Sequence, residues 1–275
     1  TGQKIIDELK EEIGWVYETI HSDGKTKGSI EFSVWSDVFT CPDCSGEVVF
    51  FNEALDANNH ILDSFDCPHC GCELNKQRME RCYKTIYDSA IKETIRIPKR
   101  ELCLISYRIG TRHYTKIPDE HDIDIIRRIE SMKLPDEVPI IKIPKMHMTH
   151  ERARMDKVGV THIHHFFMPR PSHVISAFLR KAALVNNKRI ASALVLVAQH
   201  QFQNASIMNR YRPASSFGNA PLGGVYYVPS QIAEANAISL ITGSMKRIDR
   251  MAKAGWTLLN HLPRHFIIST HSSTK

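Results

Sequence analysis

Cys41-Pro-Asp-Cys44 and Cys67-Pro-His-Cys70 are two Cys-Pro-x-Cys knuckles with 22 residues between them. Four thiolates at that spacing can close a tetrahedral zinc site with metal–sulfur bonds of about 2.3 Å. In each knuckle the proline fixes φ beside the first thiolate, and the short loop turns the second back toward the same point. Four protein ligands leave no open position, so such a zinc holds the chain together and does no chemistry. Cys72, Cys82 and Cys103 bring the total to seven cysteines, an odd number that does not suit a disulfide framework. Cys72 follows in a Cys-x-Cys step, which fits a knuckle less well than Cys67-x-x-Cys70, and reads as a bystander.

A second cluster lies in Gly159-Val-Thr-His-Ile-His-His165. His162 and His164 are expected to share one face of a strand, where such a pair can bind metal. With His147 and His150 upstream, one reading is a metal-dependent hydrolase. Against it, no acidic residue stands at a recognisable ligand spacing and no His-Glu-x-x-His occurs. The other readings are a satisfied hydrogen-bond network, or histidines facing a phosphate beside Arg152, Arg154 and Lys157.

Basic side chains gather in the same half, at Arg152, Arg154, Lys157, Arg170, Arg180, Lys181, Lys188 and Arg189, then at Arg210 and Arg212 around Tyr211. The polar loops there contain Asn209, Ser215, Ser216, Gly218 and Asn219. This mixture suits double-stranded DNA: Lys and Arg neutralise phosphates, Arg and Asn read base edges, and Tyr211 or Phe217 can stack at a displaced base. The alternative is a set of solvated helix faces and one flexible loop.

The 275 residues are 42% hydrophobic and 24% charged, which excludes a disordered chain, and the net charge of +6 with 15 histidines is compatible with an acidic partner. No apolar run reaches the length of a membrane span and no leader resembles a signal peptide, so a cytoplasmic protein with no membrane partner is expected. The chain begins at Thr1, which predicts a piece cut from a longer polypeptide. There is no glycine-rich dinucleotide or phosphate loop, no Gly-x-Ser-x-Gly elbow and no Pro-Pro pair, and no nucleophile stands with its base. A self-contained enzyme is therefore the weaker reading, and no catalytic residue is assigned.

The elements that carry these residues predict an α+β fold. An amphipathic helix over Ile5 to Trp15 precedes a strand over Ser29 to Phe39 that leads into the first knuckle. Strands over Glu47 to Phe51 and Ile61 to Phe65 complete an N-terminal four-cysteine zinc ribbon. A small antiparallel sheet is expected within Thr85 to Thr115, with strands at Thr94 to Ile97 and Leu102 to Tyr107 and a turn at Gly110-Thr111. A helix over Asp119 to Met132 and a proline-rich linker over Pro135 to Pro144 end this module, 1–134. In a mixed helix and strand module, 135–275, helices are expected over Ser172 to Leu184, Ile190 to Gln203 and Ser230 to Ala254. Buried strands are expected over Val225 to Val228 and Leu262 to Thr270. This second module is the expected DNA-facing part.

Several stretches together resemble one bacterial family: Trp15-Val-Tyr-Glu-Thr19, Val34-Trp-Ser-Asp-Val-Phe-Thr-Cys-Pro-Asp-Cys44, Gly159-Val-Thr-His-Ile-His-His165, Gly224-Val-Tyr-Tyr-Val-Pro-Ser230 with Glu234 and Asn236, and Ile267-Ile-Ser-Thr270. The family is the site-specific DNA methyltransferases of the adenine-N6 or cytosine-N4 type that carry a zinc ribbon in an insert between two halves of the catalytic domain. The resemblance implies that this chain is that insert, a target-recognition or DNA-docking region that is non-catalytic in isolation, or else a scaffold for the enzyme. It implies that S-adenosylmethionine is bound only in the parent protein, by the flanking catalytic domain, since the cofactor motif and the Asp-Pro-Pro-aromatic motif are both absent here. Ser45 stands where the family usually has glycine, and Met168-Pro-Arg-Pro171 where relatives tend to have Thr-Lys-Arg-Asn.

Overall fold

The computed structural model describes residues 1–56, 60–152, 154–213 and 218–261. Helix α1 (Gly2–Ile13) buries Ile5, Ile6, Leu9 and Ile13 along one stripe and runs into a 3-10 turn at Gly14–Tyr17. Strands β1 (Glu18–Ile20), β2 (Lys27–Thr40) and β3 (Glu47–Val49) follow, then a helical turn α2 (Phe50–Glu53) and the short strands β4 (Phe65–Asp66), β5 (Glu73–Leu74) and β6 (Glu80–Arg81). Next come β7 (Tyr83–Asp88), β8 (Glu93–Pro98), β9 (Arg100–Ile109) and β10 (Arg112–Lys116), then α3 (Glu120–Glu130), α4 (Pro169–Ala183), α5 (Lys188–Gln199) and α6 (Phe202–Ala205). Strand β11 (Gln231–Ala235) and helix α7 (Ala237–His261) are the last described elements. No described helix is long and apolar enough to cross a membrane.

Strand β2 organises the molecule. Along one edge it pairs in turn with β1, β11 and β3, and along the other with β9 and β6, every pairing antiparallel. The strand therefore runs from the sheet of the main core straight into the first cysteine knuckle. The first hairpin of the expected ribbon is thus built from the end of this sheet. Register shifts between Ile30 and Phe32 and between Val34 and Trp35 break the simple alternation, and residues on both faces of the middle of β2 are buried, including Ser33, Ser36 and Asp37. The Asp37 carboxylate accepts from Arg81 Nε at 2.9 Å and Arg100 Nε at 3.0 Å, fastening β2 to β6 and β9.

The two stretches read as modules share one core. Ile5, Leu9 and Val16 pack in the same cluster as Ile105, Ile129, Val174, Phe178, Val197 and Ile241. A second cluster, with Phe39, Val48, Phe50, Phe65, Leu74 and Met79, surrounds Cys41 and Cys67.

Several expected elements differ. The Glu47 to Phe51 strand stops at Val49 and turns into α2. Of the Ile61 to Phe65 strand only Phe65 is in a ladder, while Ile61 is exposed. The helix expected over Ser230 to Ala254 is a strand as far as Ala235. Asn236 then caps α7 by accepting from Ser239 N at 3.1 Å and donating to Ile30 O at 2.7 Å. Pairing with β2 overrides the helix-favouring composition of Gln231-Ile-Ala-Glu-Ala235. Val225 to Val228 joins no ladder, and Val225, Tyr226 and Tyr227 are exposed. The Leu262 to Thr270 strand lies outside the described residues.

Candidate metal centre and nucleic-acid interface

The two knuckles have the same local geometry. Cys41 N donates to Gly46 O and Ser45 N to Cys41 O; Cys67 N donates to Cys72 O and Gly71 N to Cys67 O. The fifth residue of each knuckle is left-handed, Ser45 at φ 59° and Gly71 at φ 71°. Glycine adopts that conformation without a Cβ penalty, and Ser45 holds it in the first knuckle despite one.

These turns bring Cys41, Cys44, Cys67 and Cys70 together, with all four sulfurs within 4.8 Å of one another. Cys41 Sγ lies 3.9 Å from Cys70 Sγ, and Cys44 Sγ 3.8 Å from Cys67 Sγ. A tetrahedron with metal–sulfur bonds of about 2.3 Å has edges of about 3.8 Å, so the group could hold a metal ion. Burial would raise the Cys41 thiol, but the N–H groups of Cys44 and Asp43 overcome it and bring it down to about 6. The Cys72 N–H likewise lowers Cys70. At Cys44 the Gly46 N–H favours the thiolate, yet burial and the neighbouring thiols push it up to about 12. Four adjacent thiolates repel one another, and a divalent cation removes that conflict. Cys72 Sγ sits 3.5 Å from Cys41 Sγ and groups with Cys41 and Asp43, not with all four of the other cysteines.

The histidines are not on a strand. His162 precedes a 3-10 turn, Ile163–Phe166, which swings His164 and His165 onto the same carboxylate oxygen of Asp88, at 2.7 and 2.8 Å. Asp88 ends β7, and its other oxygen accepts from Ala90 N at 2.9 Å. The acidic partner missing from the sequence reading is thus supplied from 76 residues away, at a spacing no motif reveals. His147 and His150 do not join the cluster.

Asp88, His164 and His165 lie close enough for a metal, but the hydrogen bonds argue for another state. His165 Nδ1 accepts from Thr161 N at 3.1 Å and from His162 N at 3.3 Å, so its proton sits on Nε2 and points at Asp88. That nitrogen has no lone pair to offer a cation, which weighs against the hydrolase reading. Instead, the carboxylate latches the β7–β8 hairpin to the 3-10 turn.

Acid should destabilise the fold. Burial, more than any other influence, holds His165 below the usual imidazole value, and it does the same for His162 and His173. Burial would raise Asp88, but the hydrogen bonds from His165 and His164 outweigh it and hold that carboxyl at about 2. The folded chain therefore binds fewer protons than the unfolded one below about pH 6.5, and stability falls as pH drops through that value, with Asp88 adding its own loss below about pH 4. The urea midpoint is expected to decline from pH 7.5 to pH 5, with a shallower decline in His173→Leu. A midpoint flat over this range would show that the histidines are not held neutral.

A cavity of about 480 Å³ lies beside the latch. Trp35, Gly159, His164, His165, Arg170 and Glu234 are among its lining residues. Gly159, at φ 78°, brings its backbone so close to β8 that an added Cβ would fall 2.9 Å from Pro98. Glu234 Oε2 accepts from Trp35 Nε1 at 2.8 Å and pairs with Arg170 Nη2 at 2.9 Å.

Arg170, expected at a DNA surface, is therefore an interior residue. It is 3% exposed and also donates to Ser33 Oγ at 3.2 Å. Asn209 is interior as well; its amide donates to Ala233 O at 2.8 Å and cannot reach a base edge. Arg180 is paired with Glu12 and Glu137, and Lys181 with Glu8 and Glu12, so these two tie α4 to its neighbours. Tyr211 is half-buried with its ring against Phe32 and Phe51, which leaves it a poor wedge. Arg154, Lys157 and Arg189 are exposed. Arg210 and Arg212 run beside β11, with Tyr211 N donating to Gln231 O. Ser215, Ser216 and Phe217 lie outside the described residues.

No protein-family model, curated protein or solved structure matches the chain.

Proposed function

We propose that this chain is a zinc-stapled DNA-docking or target-recognition insert of a site-specific DNA methyltransferase, non-catalytic by itself. The observation that carries this reading is that the resembling stretches within the described residues, distant in sequence, meet in space; Ile267 to Thr270 lies outside them. Tyr17 Oη donates to Ala235 O at 3.4 Å, Trp35 bonds Glu234, Asp37 N donates to Ser230 O at 2.7 Å, and Asn236 holds Ile30 O. The Gly159 to His165 stretch shares the cavity with Trp35 and Glu234. Such convergence is what a common structural unit requires, and unrelated chance matches would scatter over the fold.

In this reading the metal is zinc, since a closed tetrahedral set of four thiolates suits a structural zinc site and leaves no position for substrate. Zinc would fix the end of β2 and its knuckle relative to the sheet. The exposed cations Arg154, Lys157 and Arg189, with the partly exposed Arg210 and Arg212, would take the phosphates, while S-adenosylmethionine and methyl transfer would belong to the flanking catalytic domain.

The purified chain is expected to bind duplex DNA with an affinity that falls steeply with salt, because each neutralised phosphate releases condensed counterions. Replacing Arg154, Lys157 and Arg189 together by Ala should lower the salt slope by about three and weaken all sequences alike. Replacing Arg210 or Arg212 should cost about 1–3 kcal/mol on a preferred site if either reads a base edge. Fluorescence anisotropy over a salt series checks both. No binding to any duplex at low salt would favour the scaffold reading, and micromolar binding of S-adenosylmethionine would overturn the non-catalytic assignment.

A further inference from the structure

Helix α4 carries a buried histidine with no polar neighbour. His173 is 7% exposed, and neither of its ring nitrogens has a hydrogen-bond partner among the described residues. Burial alone, with no charge or hydrogen bond acting beside it, holds the ring below the usual imidazole value. In the neutral ring one nitrogen is an N–H donor and the other a lone pair. Buried polar groups are almost always paired, so an unpaired one calls for a partner that the protein itself does not supply.

There is room for that partner. His173 lines the cavity of about 480 Å³ beside the latch and also a second of about 430 Å³, and Met132 is common to both. The first falls within the range of about 300–1,000 Å³ typical of small-molecule sites. Trp35, Ile97, Ile129, Leu134, Phe167 and Met168 are among its lining residues. Other polar groups of its wall are already engaged: Asp88 by His164 and His165, Arg170 by Glu234, Arg100 by Asp37, and Ser172 Oγ by Met168 O at 3.0 Å. Lys84 and Glu130 stand at exposed positions. A charged occupant would therefore give up its hydration without gaining a free counter-ion inside, while the rings and thioethers of the wall favour an aromatic one.

We propose that this cavity is a binding site for an uncharged aromatic molecule carrying one N–H or O–H donor, its ring against the apolar wall and its donor given to the lone pair of His173. The site is independent of the DNA-docking reading. An occupant without a donor would leave the imidazole unpaired. Water alone would meet one free polar group and an apolar wall, where an ordered water needs about two to four polar partners.

The probes are indole and benzofuran, which share a shape and differ in the N–H, titrated into the 275-residue chain and followed by ligand-observed NMR. Indole is expected to bind saturably and about fivefold more tightly than benzofuran, as one hydrogen bond allows. In His173→Leu, which removes the acceptor and keeps an apolar side chain in its place, the two should bind alike. Ile126→Trp, at a half-buried lining position on α3, fills the cavity and should lower indole affinity about tenfold or more. Urea midpoints check that both variants fold, and the comparison of the two probes on wild type stands without them. No saturable indole binding by wild type would mean that the cavity holds only water and would overturn the site. Equal wild-type affinity for the two probes, or a preference for indole that survives in His173→Leu, would overturn the role of His173. Unchanged indole affinity in folded Ile126→Trp would put the bound molecule outside this cavity and overturn the site as well. None of these outcomes bears on the DNA-docking reading, which duplex affinity tests by itself.

Discussion

On the zinc reading proposed above, Cys44→Ser protein is expected to purify without bound metal and to lose more than about 4 kcal/mol of stability, the range reached when a structural metal is removed. The sulfurs cap two hairpins that could not persist alone: β4 and β5 are two residues each, and β3 is three. Their apolar support is a small cluster around Phe39, Phe50, Phe65 and Leu74, built against Cys41 and Cys67 themselves. Without a cation, the second hairpin is held to the first, among the described residues, by that cluster and by surface contacts such as Arg78 with Asp43 at 3.3 Å. Cys44 is exposed, so serine there adds no buried polar group and the loss reports on ligation. Cys41, fully buried, should behave at least as severely. Cys72→Ser, outside the four-cysteine set, should keep one zinc per chain. Metal analysis with thermal melts, with and without chelator, checks all three. A Cys44→Ser protein that retains its zinc and its melting midpoint would remove the metal centre from this account.

The second large effect is expected at the Arg170–Glu234 pair. Its side chains are 4% and 2% exposed, and taking either partner away strands a charge in the interior at a cost of about 3–5 kcal/mol. Arg170 also lies over the Tyr17 ring at 5.6 Å, and Glu234 holds the Trp35 indole, so the pair joins α4, β11, β2 and the turn after α1. Arg170→Met and Glu234→Gln should each destabilise by that amount. The double variant should lose clearly less than the sum, because no uncompensated charge remains. Urea unfolding of the four proteins gives the coupling directly. Single-variant losses under about 1 kcal/mol would mean that the pair is solvated, contrary to its burial. A further variant separates Arg170 from the exposed cations: Arg189→Ala should leave the urea midpoint alone and, on the DNA-docking reading, weaken binding to duplex.

What could be read from the chain was local. A Cys-Pro-x-Cys turn positions its own sulfurs within four residues, so the four cysteines and their two knuckles follow from neighbouring residue types, whereas the left-handed conformation of Ser45 does not. The stripe of α1 and the capping box of Asp119 and Asp122 at α3 are local in the same sense. Charge type was also legible, but its location was not. Arg170 and Arg189 look alike in sequence, and only the packing of α4 against β2 and β11 decides that one is interior and ion-paired while the other meets solvent.

Non-local pairing decided the rest. Gln231 to Ala235 reads as the first turns of a helix and becomes a strand because the edge of β2 offers unpaired backbone groups to it. Val225 to Val228 reads as a buried strand and stays outside every ladder, leaving Tyr226 and Tyr227 in solvent. The histidines acquire their partner only when Asp88 arrives on the β7–β8 hairpin. Spacing along a chain determines geometry where a few dihedral angles connect the groups, as in the knuckles. Where many residues intervene, the chain between them has too much conformational freedom for spacing to say anything, and the burial and hydrogen-bond requirements of the whole core select the contact.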